Sequence, residues 1–376
     1  MTKFEDLVPE FIRKLPGYVP GKPIKQAELE SGTRMVKMAS NENPFGPSPK
    51  ALRAMEHAAR ETNLYPDNEI TELRMRLAEL HQLDINQVMV SNGSTALINI
   101  IARSVLRPGL NAITSEKSFI VYPIAVGATG AEFITVPMKD YSFDLEALAA
   151  RVDANTRLVF IANPNNPTGT MVSAGDIDRF LVRLPDHVVT VLDEAYCDFA
   201  EDFARERGLE YSHSLDYVRQ GRNVVVLRTF SKAHGLAGVR VGCGFASERM
   251  IAYFVRLQMA FAVSGVGEAA ALAALDDAAH IRRTIENNRA GAKWLLDKFR
   301  DLGIKAVPTS ANFIYFEVED AAGVAQRIQA SGVIIRPLTG GWGCPNALRV
   351  TIGTPEQNER FIKALAKATQ RAPVAR

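Results

Sequence analysis

The chain of 376 residues carries 44 Lys and Arg against 42 Asp and Glu, a net charge of +2, with 47% apolar and 23% charged residues. That balance suits a globular protein with a sizeable core and offers no electrostatic basis for binding nucleic acid or an anionic membrane. Cys197, Cys243 and Cys344 lie far apart, without C-x-x-C or zinc-type spacing, so neither a disulfide framework nor a bound metal is expected. The opening stretch MTKFEDLVPEFIRKL is charged throughout, and no run of about 18 apolar residues occurs, so a cytoplasmic protein with reduced thiols and no membrane span is expected.

From about residue 88, short β-branched runs alternate with amphipathic segments. QVMV (87–90) precedes the helical pattern STALINIIARSVL (94–106); NAIT (111–114), EFITV (132–136) and RLVFIA (157–162) follow. AGDIDRFLVRL (174–184) is again helical, and HVVTVLD (187–193), NVVVLR (223–228) and VRVGCGFA (239–246) complete the set. Apolar strands alternating with helices predict an α/β fold with a mostly parallel central sheet covered on both faces. A long helical region then spans 267–302, followed by strands NFIYFEV (312–318), VIIRPL (333–338) and ALRVTI (347–352) and a closing helix at 355–370. The expected organisation is a large domain over 39–280, with residues 1–38 and 281–376 forming an N-terminal arm and a smaller α+β domain.

In such sheets ligands sit at the carboxyl ends of the strands. Four polar groups fall there: SNGST (91–95), NPNNPTGT (163–170), DEAY (193–196) and the Ser231-Lys232 pair after NVVVLRTF. Each alone has an ordinary reading. NPNNPTG is a plausible turn, DEAY a helix start with acids on the positive end of the dipole, and Lys232 a solvated lysine. Together they would put an amine, a carboxylate, an amide, a phenol and a glycine-containing helix start on one rim, the groups needed to hold a pyridine aldehyde phosphate.

SNENPFGPSP (40–49), NPNNPTGT, DEAY, TFSKAHGLAGVRVG (229–242) and LRVTIGT (348–354) occur in an order and at separations that resemble the fold-type I pyridoxal-phosphate (PLP) aminotransferases, specifically the histidinol-phosphate aminotransferase family. The resemblance runs from about residue 10 to 370. It implies that Lys232 holds PLP as a Schiff base and moves the substrate proton. A lysine with an ordinary pKa of about 10.4 is a poor free base near neutrality, and the neighbouring cation Arg240 would favour its neutral form. The same resemblance implies that the small residues after Lys232 let the chain pass beneath the cofactor. Arg240, Thr229 and Ser231 match its phosphate ligands, joined by Gly93, Ser94 and Thr95 at a helix N-terminus. Asp193 matches the partner of the pyridine nitrogen, Asn166 and Tyr196 the residues that bond the ring's 3′-oxygen, and Phe119 the aromatic that stacks on the ring. Tyr65 matches a tyrosine reaching the neighbouring subunit's phosphate, which implies a homodimer with a shared site.

For the substrate, the resemblance points to Arg349 (in ALRVTIGT), and to Arg336 (in IIRPL), as anion-binding residues. Tyr18, in LPGYVPGKP, resembles a tyrosine that the N-terminal arm places over the substrate, and Asn43 lies in the matched SNENPFG segment as a further candidate. The implied reaction is ping-pong exchange between L-histidinol phosphate and the glutamate/2-oxoglutarate pair. Two departures favour keeping an aromatic amino acid or prephenate as an alternative: GSTA (93–96) where the family usually has GSDE, and the bulky Trp342 in GGWGCPNA. A PLP-dependent decarboxylase would use the same lysine and aspartate. A non-enzymatic, aminotransferase-like regulatory domain fits less well, because the matched catalytic residues are all present. G-x-x-x-x-G-K-[ST], H-E-x-x-H and a strand-to-helix G-x-G-x-x-G are absent, which sets aside nucleotide and zinc-protease readings.

Overall fold

The computed structural model describes residues 3–17 and 23–369. Thirteen strands are found there: β1 (Val36–Lys37), β2 (Val88–Ser91), β3 (Asn111–Ser115), β4 (Glu132–Val136), β5 (Thr156–Ala162), β6 (Val189–Asp193) and β7 (Val224–Thr229), then β8 (Gly242–Phe245), β9 (Lys305–Ala306), β10 (Phe313–Glu317), β11 (Val333–Ile334), β12 (Arg336–Pro337) and β13 (Ala347–Thr351). β2 to β8 form one seven-stranded sheet in the order β2-β8-β7-β6-β5-β3-β4. All seven runs expected between 87 and 246 are strands of this sheet. The apolar composition of β5 and β6 follows from their burial along nearly their whole length, since helices cover both faces.

The pairings from β4 through β7 are parallel. β8 runs antiparallel to both β7 and β2. A parallel return needs a crossover long enough to span the sheet, usually a helix. The connection at 230–241 contains no helix, so the chain turns back and pairs antiparallel. That reversal places Lys232 in a compact loop at the strand ends. Phe230 N–H donates to the Val241 carbonyl (3.1 Å) and Leu236 N–H to the Phe230 carbonyl (3.0 Å), closing its base.

A four-stranded antiparallel sheet, β12-β13-β10-β9, forms a second layer with its own core, where Phe299, Phe316 and Phe361 meet around Leu295 and Leu365. VIIRPL does not form one strand. Its first half, β11, pairs parallel with β1 (Val36↔Val333), and its second, β12, pairs antiparallel with β13 (Arg336↔Arg349). The long helical region is likewise two helices, Gly265–Leu275 and Ala278–Asp301, with Asp277 capping the second by accepting from His280 N–H (3.3 Å). Position 280 falls in the first turn of the second helix. Among the described residues no helix is long and apolar enough to cross a membrane, and no group of His, Cys, Asp and Glu has the arrangement to hold a metal.

Candidate active site

β2, β5, β6 and β7 share one direction, so their carboxyl ends open on the same edge of the sheet. A cavity of about 250 Å³ lies there. The seven-stranded sheet supplies Asp193 and Thr229 as the last residues of their strands; Asn166, Tyr196 and Lys232 come from the loops that follow. Ser94 and Thr95 enter from the first turn of helix Ser94–Val105, and Arg336 and Arg349 from neighbouring positions on β12 and β13.

Lys232 is partly buried, with Nζ donating to the Ser40 carbonyl (3.3 Å) and lying 5.6 Å from the centre of the Tyr196 ring. Burial, then the nearby guanidinium groups of Arg349 and Arg240, pull its amine down to about 8; Glu42 and Asp193 oppose the shift. Asp193 is 5% exposed. Burial pushes its carboxyl up to about 6, against the hydrogen bonds from Tyr122 Oη to Oδ2 (2.9 Å) and from Ala195 N–H to Oδ1 (3.3 Å). A buried amine with a lowered pKa and a buried carboxylate, both bordering one cavity, are equipped for proton transfer.

Tyr196 Oη accepts from Asn41 Nδ2 (2.8 Å) and lies 3.4 Å from Asn166 Nδ2. Arg349, buried, donates through Nη1 to Asn166 Oδ1 and through Nη2 to the Ala39 carbonyl (2.9 Å). Arg349 is therefore linked through Asn166 to the Tyr196 phenol. Arg240 Nη1 meets Ser231 Oγ at 3.3 Å, and Ser231 N–H donates to Thr229 Oγ1 (3.1 Å).

Gly93, at φ +82°, caps helix Ser94–Val105; a Cβ there would lie 2.5 Å from Arg240 Nη2. The helix start and the guanidinium thus meet closely at a backbone position that favours glycine, an arrangement suited to an anion with the helix dipole pointing at it. Gly93→Ala should displace the guanidinium and raise the Kd for PLP about 10-fold in a fluorescence titration, with the far-ultraviolet circular dichroism unchanged. An unchanged Kd would remove Gly93 from that anion site. In the loop after Lys232, a Cβ on Gly235 would stand 2.1 Å from the backbone oxygen of Gly46, so this glycine lets the loop pack against the 40–49 segment.

Phe119 and Trp342 also border the cavity. Asn43 and Tyr65 do not. Asn43 is used internally, donating to the Ala233 carbonyl (2.8 Å) and Thr284 Oγ1 (3.0 Å) while accepting from Phe45 N–H (2.9 Å). Tyr65 is 83% exposed and stacks on Phe261 at 4.5 Å. Tyr18 lies outside the described residues. Sequence reasoning passed over Asn41 and Tyr122. Asn41 had a signal, since it sits in the matched SNENPFG segment two residues before Asn43. Tyr122 had only its spacing of three from Phe119.

The family model for aminotransferase class I and II matches residues 33–365. The chain is 44% identical over 371 residues to histidinol-phosphate aminotransferase 2 of Pseudomonas aeruginosa, covering 98% of this chain and 99% of that one. It is 41% identical to histidinol-phosphate aminotransferase of Akkermansia muciniphila, over 96% of this chain and 98% of that one. The crystal structure of histidinol-phosphate aminotransferase from Sinorhizobium meliloti in complex with pyridoxal-5′-phosphate superposes with a TM-score of 0.86 at 28% identity, covering 96% of this chain and 97% of that chain. By its sequence and its fold, the chain belongs to the class I and II aminotransferases and, within them, to the histidinol-phosphate aminotransferase family.

Proposed function

We propose that this aminotransferase uses PLP to exchange an amino group between L-histidinol phosphate and the glutamate/2-oxoglutarate pair, a step of histidine biosynthesis. The observation that carries the reading is that Lys232 and Asp193 line the same cavity as Arg336 and Arg349. The cradle of Gly93, Ser94, Thr95, Ser231 and Arg240 fits the cofactor's phosphate, and Asp193 fits its ring nitrogen. When bound, PLP supplies an electron sink for the pair left when the substrate's Cα–H bond breaks.

The chain's own residues do the remainder. Lys232, with its pKa near 8, is neutral in a useful fraction near neutrality; it takes the proton from the substrate carbon and returns it on the other side of the exchange. Asp193 is mostly ionised above pH 6 and keeps a proton on the ring nitrogen it faces. Tyr196 and Asn166 offer an O–H and an N–H to the ring oxygen. Arg349 and Arg336 receive the substrate phosphate, and the same positive charge accepts a carboxylate when glutamate takes its place. Trp342 and Phe119 form apolar walls suited to an imidazole.

The enzyme in this reading is a cytoplasmic homodimer, with residues 39–280 as the cofactor-binding unit and residues 1–38 with 281–376 as the smaller one. Exposed Leu64, Tyr65, Met259 and Phe261 support the dimer, because an apolar patch of that kind is costly to leave in water. Tyr65 would then serve the partner's phosphate site. Tyr18 would cover the substrate.

Single half-reactions test the substrate. PLP-loaded protein is mixed with L-histidinol phosphate or with L-phenylalanine, and conversion to pyridoxamine phosphate is followed by absorbance. Fast conversion by histidinol phosphate alone is the expected result. A preference for phenylalanine would overturn the substrate assignment and make the Trp342 wall an aromatic side-chain pocket; release of carbon dioxide would make the enzyme a decarboxylase.

A further inference from the structure

Tyr122 belongs to none of the motifs, yet it is wholly buried and its hydroxyl donates to Asp193 Oδ2 at 2.9 Å. Its seat is rigid. The ring stacks on Phe160 (centroids 4.5 Å apart, planes 13° apart), and Phe119 meets it edge-on at 5.6 Å (87°). Phe119 borders the cavity while Tyr122 lies behind it, so one turn of chain carries both a wall of the site and a donor to its carboxylate. The second donor to Asp193, Ala195 N–H at 3.3 Å, is longer and holds the other oxygen.

A buried carboxylate facing a protonated ring nitrogen can take that proton for itself. Desolvation favours this, because it penalises the charged carboxylate. A phenol donating to the carboxylate opposes it, because the hydrogen bond stabilises the ionised form. The charged groups that also act on Asp193 are Glu194, next in the chain and paired with Arg228 at 2.9 Å, and Lys232 from the loop after β7. Tyr196 is the other phenol close to Tyr122.

We propose that Tyr122 is a positioning residue for Asp193: its hydroxyl clamps one carboxylate oxygen, orients the group toward the PLP ring, and keeps the shared proton on the ring nitrogen rather than on Asp193. This rests on the PLP reading above. Tyr122 touches neither substrate nor cofactor in this scheme and acts only through the carboxylate.

The test is 15N NMR of the holoenzyme loaded with PLP labelled at the ring nitrogen, for wild type and Tyr122→Phe. The expected result is a shift of the nitrogen signal toward the unprotonated value in the variant. kcat should fall about 10-fold, with KM for the amino donor unchanged within about two-fold. Phe160→Leu loosens the seat but keeps the hydroxyl, and should lower Tm while moving the nitrogen signal less than Tyr122→Phe does. If Tyr122→Phe does not fold, 3,5-difluorotyrosine at position 122 keeps the shape and makes the phenol a stronger donor; the nitrogen signal should then move further toward the protonated value. A nitrogen signal that stays put in Tyr122→Phe, or in the fluorinated protein, overturns the proposal while leaving the PLP reading intact. Wild-type protein that takes up no PLP overturns both.

Discussion

Lys232→Ala is expected to abolish turnover, with a fall of about 10⁴-fold or more in the rate of the half-reaction, because it removes the one amine placed to move the substrate proton. The absorbance of lysine-linked cofactor should vanish with it, while the proposed phosphate site at Gly93 and Arg240 is untouched and should retain PLP by non-covalent contacts. Stopped-flow absorbance with the amino donor, compared with wild type, reads both effects; normal turnover would sink the proposed role. The variant also carries a pH signature. In the cofactor-free protein the lysine is depressed to about 8, so between about pH 8 and its ordinary value near 10.5 the unfolded chain binds more protons than the folded one. Stability therefore rises with pH across that window and the contribution is lost as pH falls through 8. Thermal melts of cofactor-free Lys232→Ala should show this slope removed.

Asp193→Asn is the second large effect. The amide keeps the shape and can still accept the Tyr122 hydroxyl, but it carries no charge with which to hold a proton on the ring nitrogen. We expect the rate of proton abstraction to fall about 10²–10³-fold, the size typical of removing one preorganised electrostatic contact from an active site. The Kd for PLP should rise far less, since the phosphate cradle is intact. A deuterium isotope effect on the half-reaction, using Cα-deuterated donor, should increase as that step becomes limiting. An unchanged rate would show that the ring nitrogen has another partner. The sign of the pH dependence is opposite to that of Lys232. The folded carboxyl is raised to about 6, so the cofactor-free protein loses this contribution as pH rises through 6, and Asp193→Asn should flatten the loss.

By itself the sequence determined the parts of the molecule that depend on local pattern. The seven apolar runs are strands because a sheet covered on both faces demands apolar residues at successive positions, and a run of that kind is visible without knowing its neighbours. Asp193, Asn166 and Lys232 stood out because each ends or follows such a run, where a parallel sheet opens its binding edge. Only the tertiary structure decided what depends on residues far apart in the chain. β8 reverses because its connection is too short to cross the sheet, and VIIRPL divides because β1 and β13, hundreds of residues apart, compete for its two halves. Asn43, two positions from the cavity-lining Asn41, is instead spent on Ala233 and Thr284. Tyr122 gave no sign of its contact with Asp193, because the two are 71 positions apart and a tyrosine in an apolar segment reads as core until its hydroxyl's partner is seen. Periodicity records which face of an element is buried; it carries no information about which polar atom a buried side chain meets, and the site is built from those meetings.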